Sequence, residues 1–111
     1  MGTAISIEAV LPLLEHAPAT YREFLRVPAL SAGLYVLEPG AVDPQHPHAE
    51  DEIYYVIRGR GRFQMGSEQK EARPGTVLYV PARVAHRFHE IAERLVLLVA
   101  FAPAETTSAG P

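Results

Sequence analysis

The sequence predicts an all-β domain closed into a small barrel or sandwich, and three observations predict it. Its 111 residues suffice for one hydrophobic core and not for two. Ten prolines and eight glycines are spread along the chain and cut it into short pieces, which suits many strands better than a few helices. Between those breaks the apolar residues fall into short extended runs at close spacing. With 48% apolar and 21% charged residues, the balance is that of a globular domain and not of a disordered chain.

The elements follow in order. Ser6 ahead of Ile7, Val10, Leu11 and Leu14 supplies an N-cap and helical spacing, while Pro12 limits that helix to a short or irregular one. Extended patterns cover 21–27 and 31–38, Pro39-Gly40 turns the chain, and a loop rich in proline and histidine comes next. Residues 53–57 are a β-branched and aromatic run ending at Gly59; 61–65 resume it before Gly66-Ser67 reverses the chain, so the stretch reads as a hairpin. Residues 76–80, bounded by Pro74-Gly75 and Pro81, then 85–90 and 95–101, bring the count to seven or eight strands. The expected organisation is an N-terminal segment, 1–30, that packs on or swaps between barrels, a barrel over 31–103, and a flexible tail of small and polar residues over 104–111.

Residues 95–101 are apolar on both faces, whereas a strand with one solvated face alternates. The outer face is therefore expected to meet another sheet or another subunit, and a homodimer is the expectation for so small a domain. A net charge of −3 leaves no basic stripe, and Arg58, Arg60 and Arg62 read as a solvated strand edge, which argues against a nucleic-acid partner. There is neither a signal-peptide pattern nor an apolar run approaching about 18 residues, so a cytoplasmic protein without a membrane partner is expected.

The absence of cysteine confines any metal to nitrogen and oxygen ligands. His46-Pro47-His48, Glu52 and His86 form the constellation that carries chemistry. In an extended segment residues two apart share a face, so His46, His48 and Glu52 can reach one point, with His86 arriving from a neighbouring strand. Glu50 and Asp51 compete with Glu52 as the carboxylate, although Asp51 has the wrong parity. Three imidazoles and one carboxylate suit one divalent ion, Fe, Mn, Ni, Zn or Cu, with positions left open for a ligand. Tyr54, Val56 and Phe88 share the ligand face and line either a substrate or the core. Glu90 shares the parity of His86 and Tyr54 that of Glu52, which makes both candidates for moving a proton; His89 and His16 fall away from the site.

These residues also resemble the cupin family, whose first motif is G(x)5HxH(x)3–4E(x)6G. It is complete here as Gly40, His46, His48, Glu52 and Gly59. The second motif, G(x)5PxG(x)2H(x)3N, is matched at Gly75, Pro81 and His86, with Arg83 at its second glycine and Glu90 at its asparagine. The resemblance covers roughly 31–101 and implies a double-stranded β-helix, or jelly roll, with the metal inside its mouth. Because Arg83 cannot take a positive φ as cheaply as glycine, its loop is expected to be rebuilt, with the guanidinium within reach of an anionic ligand. The implied function is a small-molecule metalloenzyme acting on an enediol, diketone, 2-oxo acid or uronate by Lewis-acid or dioxygen chemistry. A non-catalytic module that binds a small molecule is the alternative.

Overall fold

A computed structural model describes residues 2–44, 47–106 and 110–111. The chain begins with a single-turn helix α1 (Ile7–Val10), whose first turn is capped by Ser6 Oγ accepting from Ala9 N–H at 3.3 Å. Pro12 then enforces a 3-10 turn over Leu11–Leu13 in place of a longer helix. Six strands follow: β1 (Ala19–Val27), β2 (Leu30–Leu37), β3 (Asp51–Met65), β4 (Glu68–Ala72), β5 (Val77–Val80) and β6 (His86–Ala102).

The expected count of seven or eight strands is corrected to six among the described residues, because β3 and β6 run on for 15 and 17 residues. All pairings are antiparallel, in the order β1-β2-β6-β3-β4, with β5 also on β3. One half of the sheet joins β1, β2, the C-terminal part of β6 (Ser31 opposite Phe101), the N-terminal part of β3 (Glu52 opposite Phe101) and β5. The other half joins the start of β6, the end of β3 (Met65 opposite His86) and β4. Their inner faces share one core in which Tyr54 packs edge-on to Phe88, ring centroids 4.9 Å apart, and to Phe63 at 5.7 Å.

Both long strands change the face they bury part-way along. In β3 the buried residues are Glu52, Tyr54 and Val56, then Gly61 and Phe63, so the parity slips by one across register shifts between Val56 and Arg62. Gly59 sits in that slip with φ +94°. In β6 the buried set runs His86 and Phe88, then Ile91, Leu95, Leu97, Val99 and Phe101, and the slip falls at Glu90 with φ +48°. These are bulges that bend a continuous strand, which is why the breaks in pattern at 57–61 and 90–95 mimic strand ends. Arg58, Arg60 and Arg62 are exposed, but they lie on an interior strand and not on an edge.

Leu14, Ile7, Val10 and Leu11 of the N-terminal segment pack against Leu34, Val36 and Val96 on the outer face of β2 and β6. That contact accounts for part of the second apolar face of β6. Further along the same outer surface Ile53, Tyr55, Val77 and Tyr79 remain exposed, paired across β3 and β5 as Ile53 with Tyr79 and Tyr55 with Val77. At the other end, Glu105 is 3% exposed and its N–H donates to Ser31 Oγ at 2.9 Å. No helix among the described residues is long and apolar enough to cross a membrane.

Candidate metal centre

Glu52 enters the site from one half-sheet and His86 from the other, and their side chains meet inside the barrel with His86 Nε2 3.0 Å from Glu52 Oε1. His48 comes from the loop between β2 and β3, and not from a strand as the parity argument assumed. Pro44 and Pro47 lack the N–H a ladder needs, and the described residues 38–44 and 47–50 form no strand. One ligand atom from each of His48, Glu52 and His86 lies within 4.8 Å of the others, a span that one ion bridges. His46 lies outside the described residues.

The loop is positioned by contacts that spacing does not reveal. Asp43, buried in the same loop, accepts from Tyr35 O–H at 2.5 Å and from the Phe88 N–H at 2.8 Å, which fastens the loop to β2 and β6. Past it, the carbonyl of His48 accepts from the Arg83 N–H at 2.6 Å, and Asp51 Oδ1 accepts from the Ala82 N–H at 2.9 Å. The segment before His86 is thereby bolted to the segment that carries His48. Asp51 serves there, Glu50 accepts from Thr106 O–H at 2.8 Å, and only Glu52 of the three acids reaches the two histidines.

The two residues that depart from the second motif both take a positive φ. Val84 N–H donates to the Pro81 carbonyl at 3.2 Å, closing a turn in which Arg83 holds φ +66°. That turn class wants glycine at this position, so the loop is not rebuilt as expected; Arg83 takes the glycine conformation at a cost. Its side chain is exposed. Glu90 also takes a left-handed φ, and its side chain, 74% exposed, turns outward to pair with His89 Nδ1 at 3.1 Å. The bulge overturns the parity that made Glu90 a candidate for moving a proton at the site. Arg83→Gly and Glu90→Asn are each expected to raise stability by about 0.5–1 kcal/mol, seen as a higher urea midpoint at unchanged slope.

The remaining candidates are enclosed. Val56 and Phe88 belong wholly to the core, Phe88 against Phe63 with centroids 4.6 Å apart. Tyr54 is also fully buried, its ring 6.0 Å from that of His86, and its hydroxyl has no hydrogen-bond partner among the described residues. Burial and then the Glu52 charge push its pKa well above the usual tyrosine value, so it remains a neutral donor.

A buried carboxylate normally has its oxygens satisfied. Neither oxygen of Glu52, 2% exposed, has a hydrogen bond of acceptable geometry among the described residues. Beside it, His86 Nδ1 is 2.9 Å from the Val84 carbonyl, which can only accept, so Nδ1 carries the hydrogen. A neutral His86 then turns a lone pair on Nε2 toward the lone pairs of Glu52 Oε1. Two acceptors facing each other need either a proton on Nε2 or a metal cation between them, and two imidazoles with one carboxylate are a donor set that fits a divalent ion.

The cupin domain matches residues 33–101. The chain belongs to the cupin family. An uncharacterised protein of Streptomyces coelicolor is 49% identical to this cupin over 86 residues, covering 78% of its chain and 82% of the relative. A glucose-6-phosphate isomerase of Thermococcus onnurineus is 31% identical over 123 residues, covering 94% of the cupin and 65% of the isomerase. The cupin thus spans just under two thirds of that enzyme. A Thermus thermophilus protein of known crystal structure superposes with a TM-score of 0.75 at 27% identity, over 86% of the cupin and 94% of that chain.

Charges near the site make the cupin's metal-free stability depend on pH. Burial, partly offset by the Gly110 N–H, and the charges of Glu50 and Glu52 raise the Glu105 carboxyl from 4.5 to about 7. Burial works against a charged His86, but Glu52, the Val84 carbonyl and Asp43 outweigh it and hold its pKa above the ordinary value. Both groups bind protons more tightly when folded, so both contributions are present at low pH and lost as pH rises. For Glu105 the loss runs from pH 4.5 to about 7, and for His86 it lies above pH 6.5. Chelator-treated Glu105→Gln, which keeps a neutral side chain, is therefore expected to gain on the parent in Tm between pH 5 and 8, by about 4 °C or more.

Proposed function

We propose that this cupin holds one divalent metal ion on His46, His48, Glu52 and His86 and acts as a small-molecule metalloenzyme on an oxygen-rich ligand. The observation that carries this is the buried Glu52 carboxylate, without a hydrogen bond of acceptable geometry among the described residues, facing a His86 nitrogen whose partner nitrogen is already committed. When bound, the ion polarises a carbonyl or stabilises an enediolate, or as iron(II) activates dioxygen.

The chain's own residues do the rest. Val84 and the packing of Tyr54 and Phe63 fix the His86 ring. Phe101, its ring 5.0 Å from His48, and the core aromatics exclude water from that side. Tyr54, fully buried beside His86, keeps its proton because burial and the Glu52 charge raise its pKa. Likeness to a glucose-6-phosphate isomerase over 94% of the chain favours the enediol-forming class among the substrates considered, since aldose and ketose interconvert through an enediol. Metal analysis of protein purified without chelator, followed by turnover assays on aldose–ketose pairs, diketones, 2-oxo acids and uronates, tests the reading. About one ion per chain with turnover of one class supports it; metal without turnover of any class favours the binding module instead.

We also propose that two copies pair through the outer face of β3 and β5. Ile53, Tyr55, Val77 and Tyr79 form an exposed apolar patch beside a groove of ≈ 180 Å³ lined by Leu30, Ile53, Tyr79, Ala100, Phe101 and Ala102 together with Asp51 and Glu52. Light scattering at micromolar concentration is expected to give twice the chain mass, falling to one chain mass for Tyr55→Glu; a monomeric parent rejects the pairing.

A further inference from the structure

Glu105 lies in a stretch of small and polar residues with no motif, yet it is 3% exposed. It is held on every side. Its N–H donates to Ser31 Oγ at 2.9 Å, the preceding Ala104 N–H donates to the Pro28 carbonyl at 3.2 Å, and the Gly110 N–H donates to Glu105 Oε1 at 3.0 Å. Thr106 O–H reaches Glu50 at 2.8 Å. Gly110 lies so close to the Tyr21 ring that a Cβ there would overlap it, which seats this end of the chain on β1. With Oε1 engaged by Gly110, the other oxygen, Oε2, points to His48 and lies 3.5 Å from its Nδ1.

The arrangement repeats that of His86. There, Nδ1 gives its hydrogen to the Val84 carbonyl and leaves Nε2 toward Glu52. At His48 the acceptor facing Nδ1 is Glu105, and Nε2 is the buried ring nitrogen. A carboxylate on one imidazole nitrogen fixes the tautomer, sets the ring orientation and raises the basicity of the other nitrogen. The separation is long for a hydrogen bond, and contacts of this kind shorten when the site fills.

We infer that Glu105 is a positioning residue for His48: by accepting from Nδ1–H it presents Nε2 to the metal, so the segment after β6 completes the centre from outside the motif. This rests on the metal-binding reading above and is tested separately from it. In chelator-treated full-length protein, nitrogen-15 NMR is expected to show His48 as the Nδ1–H tautomer in the parent, shifting toward Nε2–H in Glu105→Ala. In cobalt(II) titrations of the full chain, Glu105→Ala is expected to lose about 10–100-fold in affinity, with Glu105→Gln, which keeps an oxygen acceptor without the charge, in between. A parent His48 carrying its hydrogen on Nε2 overturns the inference, as does cobalt affinity unchanged in both variants. A parent that binds no cobalt overturns the metal reading instead, and the tautomer measurement still decides the role of Glu105.

Discussion

A His48→Ala, His86→Ala double variant is expected to lose divalent-metal affinity by about 10³-fold or more. Residues that merely orient a metal ligand cost 10–100-fold when removed, and this pair takes away two ligands at once. Both substitutions leave the core of Tyr54, Phe63 and Phe88 in place, so the double variant is expected to fold, with its Tm unresponsive to added metal, whereas the parent's Tm is expected to rise with metal by mass action. Circular dichroism and metal analysis after gel filtration check both halves. Stoichiometric metal in the double variant removes these histidines from the centre. The comparison is best made with a defined metal loaded after chelation, because copper and zinc displace iron and manganese from a nitrogen and oxygen site.

Gly59→Ala is expected to cost more than about 4 kcal/mol, a large part of the 5–15 kcal/mol that holds such a domain together. Gly59 has φ +94°, and a Cβ built there falls on the Arg94 carbonyl and on Leu95 Cα. Those are backbone atoms of the paired strand β6, so no side-chain rotation relieves the overlap; the strands must separate where β3 bends. Gly66→Ala is the control. Gly66 also has a positive φ, +58°, but nothing lies near its Cβ position, so only the conformational cost of about 1–2 kcal/mol applies. Urea unfolding of the pair isolates the close approach: equal losses in the two variants rule it out. The last glycine of the first motif is thus explained by the crossing of β3 over β6, and not by a ligand.

The sequence pattern locates strands where one face is buried and the other wet. The runs at 21–27, 31–38 and 76–80 lie within about two residues of β1, β2 and β5. It fails where pairing overrides composition. Glu68–Ala72 buries only Ala72, offers no alternating pattern, and is a strand because residues 61–65 of β3 hold it in register. The two bulges read as gaps because a parity slip looks the same in sequence as an interruption. At the site, Glu52 and His86 follow from motif spacing. Asp43 and Glu105 do not, because their places depend on partners far along the chain: Phe88 for the first, Ser31 at a separation of 74 residues for the second. Glu90 shows the reverse error, a parity argument carried through a residue where the strand changes face.

The strand order has a consequence for how the protein comes into being. β6 is synthesised after the five strands it joins into one sheet, yet it lies in the middle of that sheet, between β2 and β3. Until it emerges from the ribosome, the β1-β2 hairpin and the β3-β4-β5 unit each present an open edge and a bare apolar face. Closing the barrel then joins residues as distant as Ser31 and Phe101 in one step, the kind of non-local pairing that slows folding. A nascent chain halted before residue 86 is thus two sticky fragments with no domain between them, and the whole of its solubility rests on the arrival of one strand.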